Sequence, residues 1–228
     1  GYRTATVAAP MNEVLAAGLV KLSGWNGEID LLDPMCGSGT LPIEAGLLAR
    51  NIPSLWYRED FGFMNWRNFD KKLWESIREE ARLKFKSFTG NIYAYDRSSK
   101  SRSISEYNMK NAHLDKWIKT EGLTFEKAKP RSSKGVLLIN PPYGYRIKKD
   151  YIISFYQMIG DQLKQNFNGW EAWIITSNQE ALKFVGLRPE RKLKLFNGPL
   201  EVSVAKYTLF EGDRKSEVIR KKRKRIGE

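Results

Sequence analysis

With 228 residues, 41% of them apolar, the chain can bury the core of one sizeable domain, and a disordered class is excluded. A formal charge of +13 points to a polyanionic partner. No run approaches the roughly 20 apolar residues that cross a bilayer, the start lacks a signal-peptide pattern, and the single cysteine, Cys36, excludes an internal disulfide and suits a reducing, cytoplasmic setting.

A helical pattern over residues 11–23 leads into an apolar strand at 29–33 that ends on Asp33. The chain then runs through Pro34-Met35-Cys36-Gly37-Ser38-Gly39-Thr40 into a helix at 40–50. Gly37 and Gly39 allow a tight turn and close approach of a ligand to the backbone. A phosphate loop would need a lysine at its end, and a dinucleotide fingerprint would want glycine where Pro42 stands. An acid ahead of the loop suits a cationic or amino-bearing ligand, and S-adenosylmethionine, with its sulfonium and α-amino group, fits. Cys36 reads as a small packing residue, because the only histidine, His113, belongs to a separate helix. That lone histidine also argues against a zinc site, and no metal is expected.

Residues 53–66 form a longer connection than usual and carry Trp56, Tyr57, Phe61, Phe63 and Trp66. They are expected to cover the core or, alternatively, to close as a lid over a ligand. A helix at 70–87 precedes a strand at 91–95 that ends on Asp96. Such an acid takes ribose hydroxyls in doubly wound sheets, or it caps the helix at 98–113. A strand is expected at 122–127. The strand at 135–139 then delivers Asn140-Pro141-Pro142-Tyr143 to its carboxyl end. The Asn140 amide oxygen and the Pro141 carbonyl can accept both hydrogens of a planar NH2 group, and Tyr143 can stack on the ring that bears it. The two prolines fix φ and remove N–H donors. A helix at 150–167 and a strand at 171–176 follow, then strands at 191–196 and 201–210 joined by an Asn197-Gly198 hairpin signal.

This alternation predicts an α/β fold, a mostly parallel sheet with helices on both faces and an antiparallel strand at one end. Asp33, Asp96 and Asn140 all fall at carboxyl ends of strands, where ligands bind in such sheets. Residues 213–228 hold eight Lys/Arg against three acids. They read as a basic arm for RNA or as a solvated tail.

In that order, Asp33 to Thr40, Asp96 and Asn140-Pro141-Pro142-Tyr143-Gly144 resemble the class I S-adenosylmethionine-dependent methyltransferases that act on amines. Ala9-Pro10-Met11-Asn12-Glu13, Phe63-Met64-Asn65-Trp66 with Trp74, and Phe196-Asn197-Gly198-Pro199-Leu200-Glu201 narrow the resemblance. They are similar to the THUMP-associated (UPF0020-type) enzymes that make N2-methylguanosine in large-subunit ribosomal RNA, often labelled N6-adenine-specific DNA methylases. The resemblance spans about residues 1–210. It implies a Rossmann-like catalytic domain over 1–212, with a seven-stranded, mostly parallel sheet, followed by the basic tail at 213–228. It also implies an upstream THUMP-type RNA-binding domain outside this chain, RNA as partner, no membrane and a monomer. The catalytic residues it implies are Asn140, Pro141, Pro142 and Tyr143. The cofactor residues are Asp33, Pro34, Cys36, Gly37, Ser38, Gly39, Thr40, Asp96 and Asn140. The family usually places an acid after the third strand to hold the donor's adenine, but Leu123 to Lys129 contains no Asp, which leaves Glu126. Guanine N2 in RNA is the expected target. An adenine-N6 DNA or RNA methyltransferase and a catalytically silent RNA-binding domain are the alternatives.

Overall fold

Three strands that are buried along their whole length define the middle of the molecule: β1 (Asp30–Asp33), β2 (Ile92–Tyr95) and β4 (Gly135–Ile139). The computed structural model describes residues 1–6, 10–142 and 149–210. With β3 (Ile118–Glu121), β5 (Trp170–Thr176), β6 (Arg191–Asn197) and β7 (Leu200–Thr208) they form one sheet, in the order β3-β2-β1-β4-β5-β7-β6. The first five strands run parallel, while β7 is antiparallel to both β5 and β6. Continuous burial along the central strands is what a parallel sheet covered on both faces requires.

The helices are α1 (Glu13–Ser23), α2 (Thr40–Ala49), α3 (Lys71–Leu83), α4 (Ser99–Asn111) and α5 (Lys149–Asn166). Successive strand residues point to opposite faces, so Leu31 and Leu32 enter different cores. Leu31, Ile92 and Leu138 pack with Ala16 and Leu19 of α1, Ile43 of α2 and Met109 of α4. Leu32, Leu137 and Ile174 pack with Ile159 and Leu163 of α5. A Cβ at Gly160 would sit 1.8 Å from the Val185 carbonyl oxygen. Glycine there lets α5 lie directly on the backbone of the 3-10 turn at Ala181–Val185.

Three expectations need correction. The third strand is Ile118–Glu121, and residues 122–127 are instead a loop ending in a 3-10 turn at Phe125–Lys127. Their apolar side chains mimic a strand because Phe125 plugs the core, only 2% exposed, while Leu123 packs beside it. The hairpin loop is Gly198-Pro199, since Asn197 pairs with Leu200 across the turn. Gly198 takes φ 63°, the pattern of a two-residue turn with glycine first. The aromatic connection does not cover the core. Phe61, Phe63 and Trp74 cluster with ring centroids 5.1–5.5 Å apart, Trp56 packs on Phe85 at 4.9 Å, and no residue of the 3-10 turn at Gly62–Asn65 or of α3 is buried.

Candidate functional site

Short parallel strands bring three polar side chains to one end of the sheet. Asp33 closes β1 with its side chain 1% exposed, and Oδ1 accepts from the Met35 N–H at 3.1 Å. Burial pushes its carboxyl up to about 8, the negative charge of Asp96 adds to this, and the Met35 N–H opposes it. Asp96 follows β2. Its Oδ2 accepts from the Gly37 N–H at 3.0 Å and its Oδ1 from the Ser98 N–H at 2.9 Å. One carboxylate therefore fixes the glycine loop to the start of α4. Ser98, not Asp96, is the N-cap of that helix. A carboxylate accepts about four hydrogen bonds, so acceptor capacity remains on Asp96.

The loop between β1 and α2 turns through Gly37 at φ 54° and Gly39 at φ 82°. A Cβ on Gly39 would lie 3.0 Å from the Ser105 Cβ, so both conformation and contact with α4 favour glycine. Asn108 of α4, fully buried, donates to the Ser38 and Ala5 carbonyls, each at 2.9 Å. It lashes the amino-terminal segment and the glycine loop to one helix. Burial, reinforced by Asp33 and Asp96, pushes the Cys36 thiol well up, which suits an inert packing residue.

Two cavities meet here. The larger, of about 320 Å3, is lined by Pro34, Met35, Gly37, Asp96, Arg97, Ser101, Leu123 to Glu126, Asn140 to Pro142, Tyr151 and Phe155. The smaller, of about 40 Å3, is lined by Asp33, Cys36, Ser38, Thr40 and Leu41 together with Pro10 and Met11. Met35, Gly37 and Asn140 belong to both walls. The residues singled out from sequence thus converge, apart from Gly39, which shapes the turn without lining either cavity, and Tyr143, which lies outside the described residues. At the shared wall, Asn140 Oδ1 is buried and has no hydrogen-bond partner among the described residues. An orphaned buried acceptor costs about 1–3 kcal/mol, which a ligand donor would recover.

Sequence reasoning missed Ser101, Tyr151 and Phe155 on the cavity wall. The last two stack at 5.8 Å and 12° on α5. Their i,i+4 spacing just after the Asn-Pro-Pro stretch was a usable signal. It also missed Asn108, whose partners lie 70 and 103 residues away in the chain. No residue of 53–66 lines either cavity, so the lid expectation finds no support. Among the described residues no cluster of His, Cys, Asp or Glu could hold a metal ion, and no helix is long and apolar enough to cross a membrane.

A parallel sheet of this order, with one antiparallel strand slotted beside the edge and a cavity across its carboxyl ends, is the class I methyltransferase fold. Residues 1–206 match the RMKL-like methyltransferase domain family, UPF0020, and the chain belongs to that family. A protein of Synechocystis sp. (strain ATCC 27184 / PCC 6803 / Kazusa), provisionally named an RNA methyltransferase, is 36% identical over 92% of this chain and 55% of its own length. The ribosomal RNA large subunit methyltransferase K/L of Shewanella sp. (strain ANA-3) is also 36% identical, over 92% of this chain and 30% of its own. The crystal structure of SMU.472, in complex with SAH, superposes with a TM-score of 0.86 at 29% identity, covering 93% of this chain and 56% of that one. The chain therefore spans about half, or less, of the relatives it matches.

Proposed function

We propose that this chain is a catalytic domain that transfers a methyl group from S-adenosylmethionine to an exocyclic amine in RNA, namely guanine N2 of large-subunit ribosomal RNA. The observation that carries the reading is the amide oxygen of Asn140, buried and without a partner among the described residues, in the wall common to both cavities. An aromatic amine delocalises its lone pair into the ring and is a weak nucleophile. Asn140 Oδ1 and the Pro141 carbonyl accept its two hydrogens and draw the nitrogen toward a tetrahedral shape. Pro141 and Pro142 stiffen this wall. Tyr143 is assigned the stacking role against the base.

The residues present suit the donor. Buried Asp33 gains a counter-ion from the α-amino group, which relieves the cost of its isolation. Backbone groups from Pro34 to Gly39, with Ser38 and Thr40 alongside, receive the methionine part. Asp96, held by two backbone N–H groups, accepts from the ribose hydroxyls. Glu126, in the wall of the larger cavity, takes the adenine amino group. Bound there, S-adenosylmethionine supplies an electrophilic methyl carbon. The protein's part is orientation and exclusion of water, and no dedicated base is assigned.

RNA is favoured as the substrate by the charge of +13 and by the name of the Shewanella relatives. The longer protein is proposed to carry an upstream THUMP-type domain that delivers this RNA. The test is mass spectrometry of nucleosides after incubating the chain and S-adenosylmethionine with large-subunit ribosomal RNA made in vitro, or with DNA. N2-methylguanosine in RNA is expected. N6-methyladenine in either nucleic acid would replace the guanine assignment, and failure to bind the donor in calorimetry would leave a silent RNA-binding domain.

A further inference from the structure

Strand β6 has one face that no other element among the described residues covers. Leu193 and Leu195 turn inward and pack on the core, whereas Lys192, Lys194 and Phe196 are exposed on the other side. Phe196 is 63% exposed, and its ring meets no other aromatic ring among the described residues. Because β7 runs antiparallel to β5, the turn after Phe196 lies at the cavity end of the sheet: Thr176, the last residue of β5, pairs with Ser203 near the start of β7. Adjacent strands lie about 4.8 Å apart, so β7 and β6 stand roughly 10–14 Å from β4 and Asn140.

This turn is tied to the cavity wall. Asn197 Oδ1 accepts from the Asn12 N–H at 2.9 Å, Asn12 Oδ1 caps α1, and the preceding Met11 and Pro10 line the smaller cavity together with Asn140. An exposed phenylalanine beside alternating lysines, fixed in register with the candidate site, matches the chemistry of a single nucleic-acid strand: a π-face for a splayed base and cations for phosphates. A protein partner fits less well, because protein interfaces exclude charge from their centres.

We propose that this face of β6 docks the RNA strand flanking the target nucleotide, with Phe196 as the stacking platform and Lys192 and Lys194 as phosphate contacts. The proposal rests on the RNA reading above. Lys194 pairs with Glu201 at 3.3 Å, but both side chains are largely exposed, and so weak a pair exchanges readily for phosphate. Lys192 makes no ion pair among the described residues. Nucleotides on either side of a flipped base are where such enzymes gain contacts beyond the base itself.

The experiment uses the 228-residue chain and a fluorescent single-stranded RNA drawn from large-subunit ribosomal RNA, with affinity measured across a salt series. Phe196→Ala should weaken binding about 5- to 150-fold. Lys192→Ala with Lys194→Ala should flatten the salt slope by roughly 1.4. Affinity for S-adenosylmethionine should stay unchanged in both, which excludes misfolding. Lys71→Ala with Lys72→Ala, on α3, is the control for general loss of charge. An equal loss in the control, or no effect of Phe196→Ala, would overturn the docking face while leaving the RNA reading intact. RNA that does not bind the unaltered chain would overturn that reading, and the docking face with it.

Discussion

The strand tips and the aromatic connection at 53–66 with α3 make opposite use of their side chains. At the tips, a carboxylate and an amide oxygen are buried in places that work against them. In the aromatic region Trp56, Phe63 and Trp74 remain partly open to solvent, and α3 buries nothing. Richness in aromatics therefore does not locate the core here, whereas the candidate site is marked by costly polar groups that converge on the walls of two adjoining cavities. Folding alone would favour the reverse arrangement, and the deviation is informative because it has to be sustained by something other than stability.

The comparison is tested most severely at Asn140. Asn140→Ala should lower methyl transfer by about 100- to 1000-fold, the range for losing one preorganised hydrogen-bonding group, while donor affinity stays close to normal. An equal fall in both, from calorimetry beside single-turnover rates, would make Asn140 a structural residue. Asp96→Ala should act in the opposite way and weaken the donor about 10- to 150-fold, as loss of a charged acceptor does. Calorimetry with unchanged affinity would reduce Asp96 to a brace between the Gly37 and Ser98 N–H groups.

Asp33 tests the cost directly. Its folded value of about 8 lies above the ordinary carboxyl value of 3.8. Between these values the folded chain keeps a proton that the unfolded chain has released, so stability contributed at low pH is lost progressively from about pH 4 to about pH 8. Asp33→Asn removes that loss. Its melting temperature should exceed the parent's by several degrees at pH 8 and by much less at pH 4.5, while its donor affinity falls. A gap that is the same at both pH values would mean Asp33 ionises normally. The smallest effect is expected at Trp74, which contacts Phe61 and Phe63 and lies 5.9 Å from the Arg78 guanidinium. Trp74→Ala should cost about 1–2 kcal/mol of local stability, read as faster hydrogen exchange along α3, with donor affinity unchanged. A change in donor affinity would join the two regions and dissolve the contrast.

The same contrast explains what the sequence revealed. β1, β2 and β4 were legible because buried parallel strands are continuous apolar runs, and each ends in a short polar or glycine- and proline-rich motif that breaks the run. β3 was not, because Ile118-Lys119-Thr120-Glu121 is an edge strand in which Ile118 alone is fully buried and three polar residues follow it, with Lys119 over the Tyr93 ring and Glu121 paired with Arg131. Asp30, within the strand expected at 29–33, was not singled out, although its Oδ1 accepts both the backbone N–H and the side-chain amide of Asn91. Asn108 was hidden for a different reason: its role depends on loops that approach only in the folded chain. The tail at 213–228 and Tyr143 lie outside the described residues, so their assigned roles remain proposals.

Gly160 gives the cavity a remote adjustment. Tyr151 and Phe155 line the larger cavity from the same helix that rests, through Gly160, on the Val185 carbonyl. Nine residues of helix, about 13 Å, separate Gly160 from Tyr151. The helix thus behaves as a beam with its fulcrum far from the opening it borders. A single methyl group at the fulcrum would lift the beam and change the width of that opening without touching any residue in its wall. The packing of that helix would change while every motif at the strand tips stayed intact.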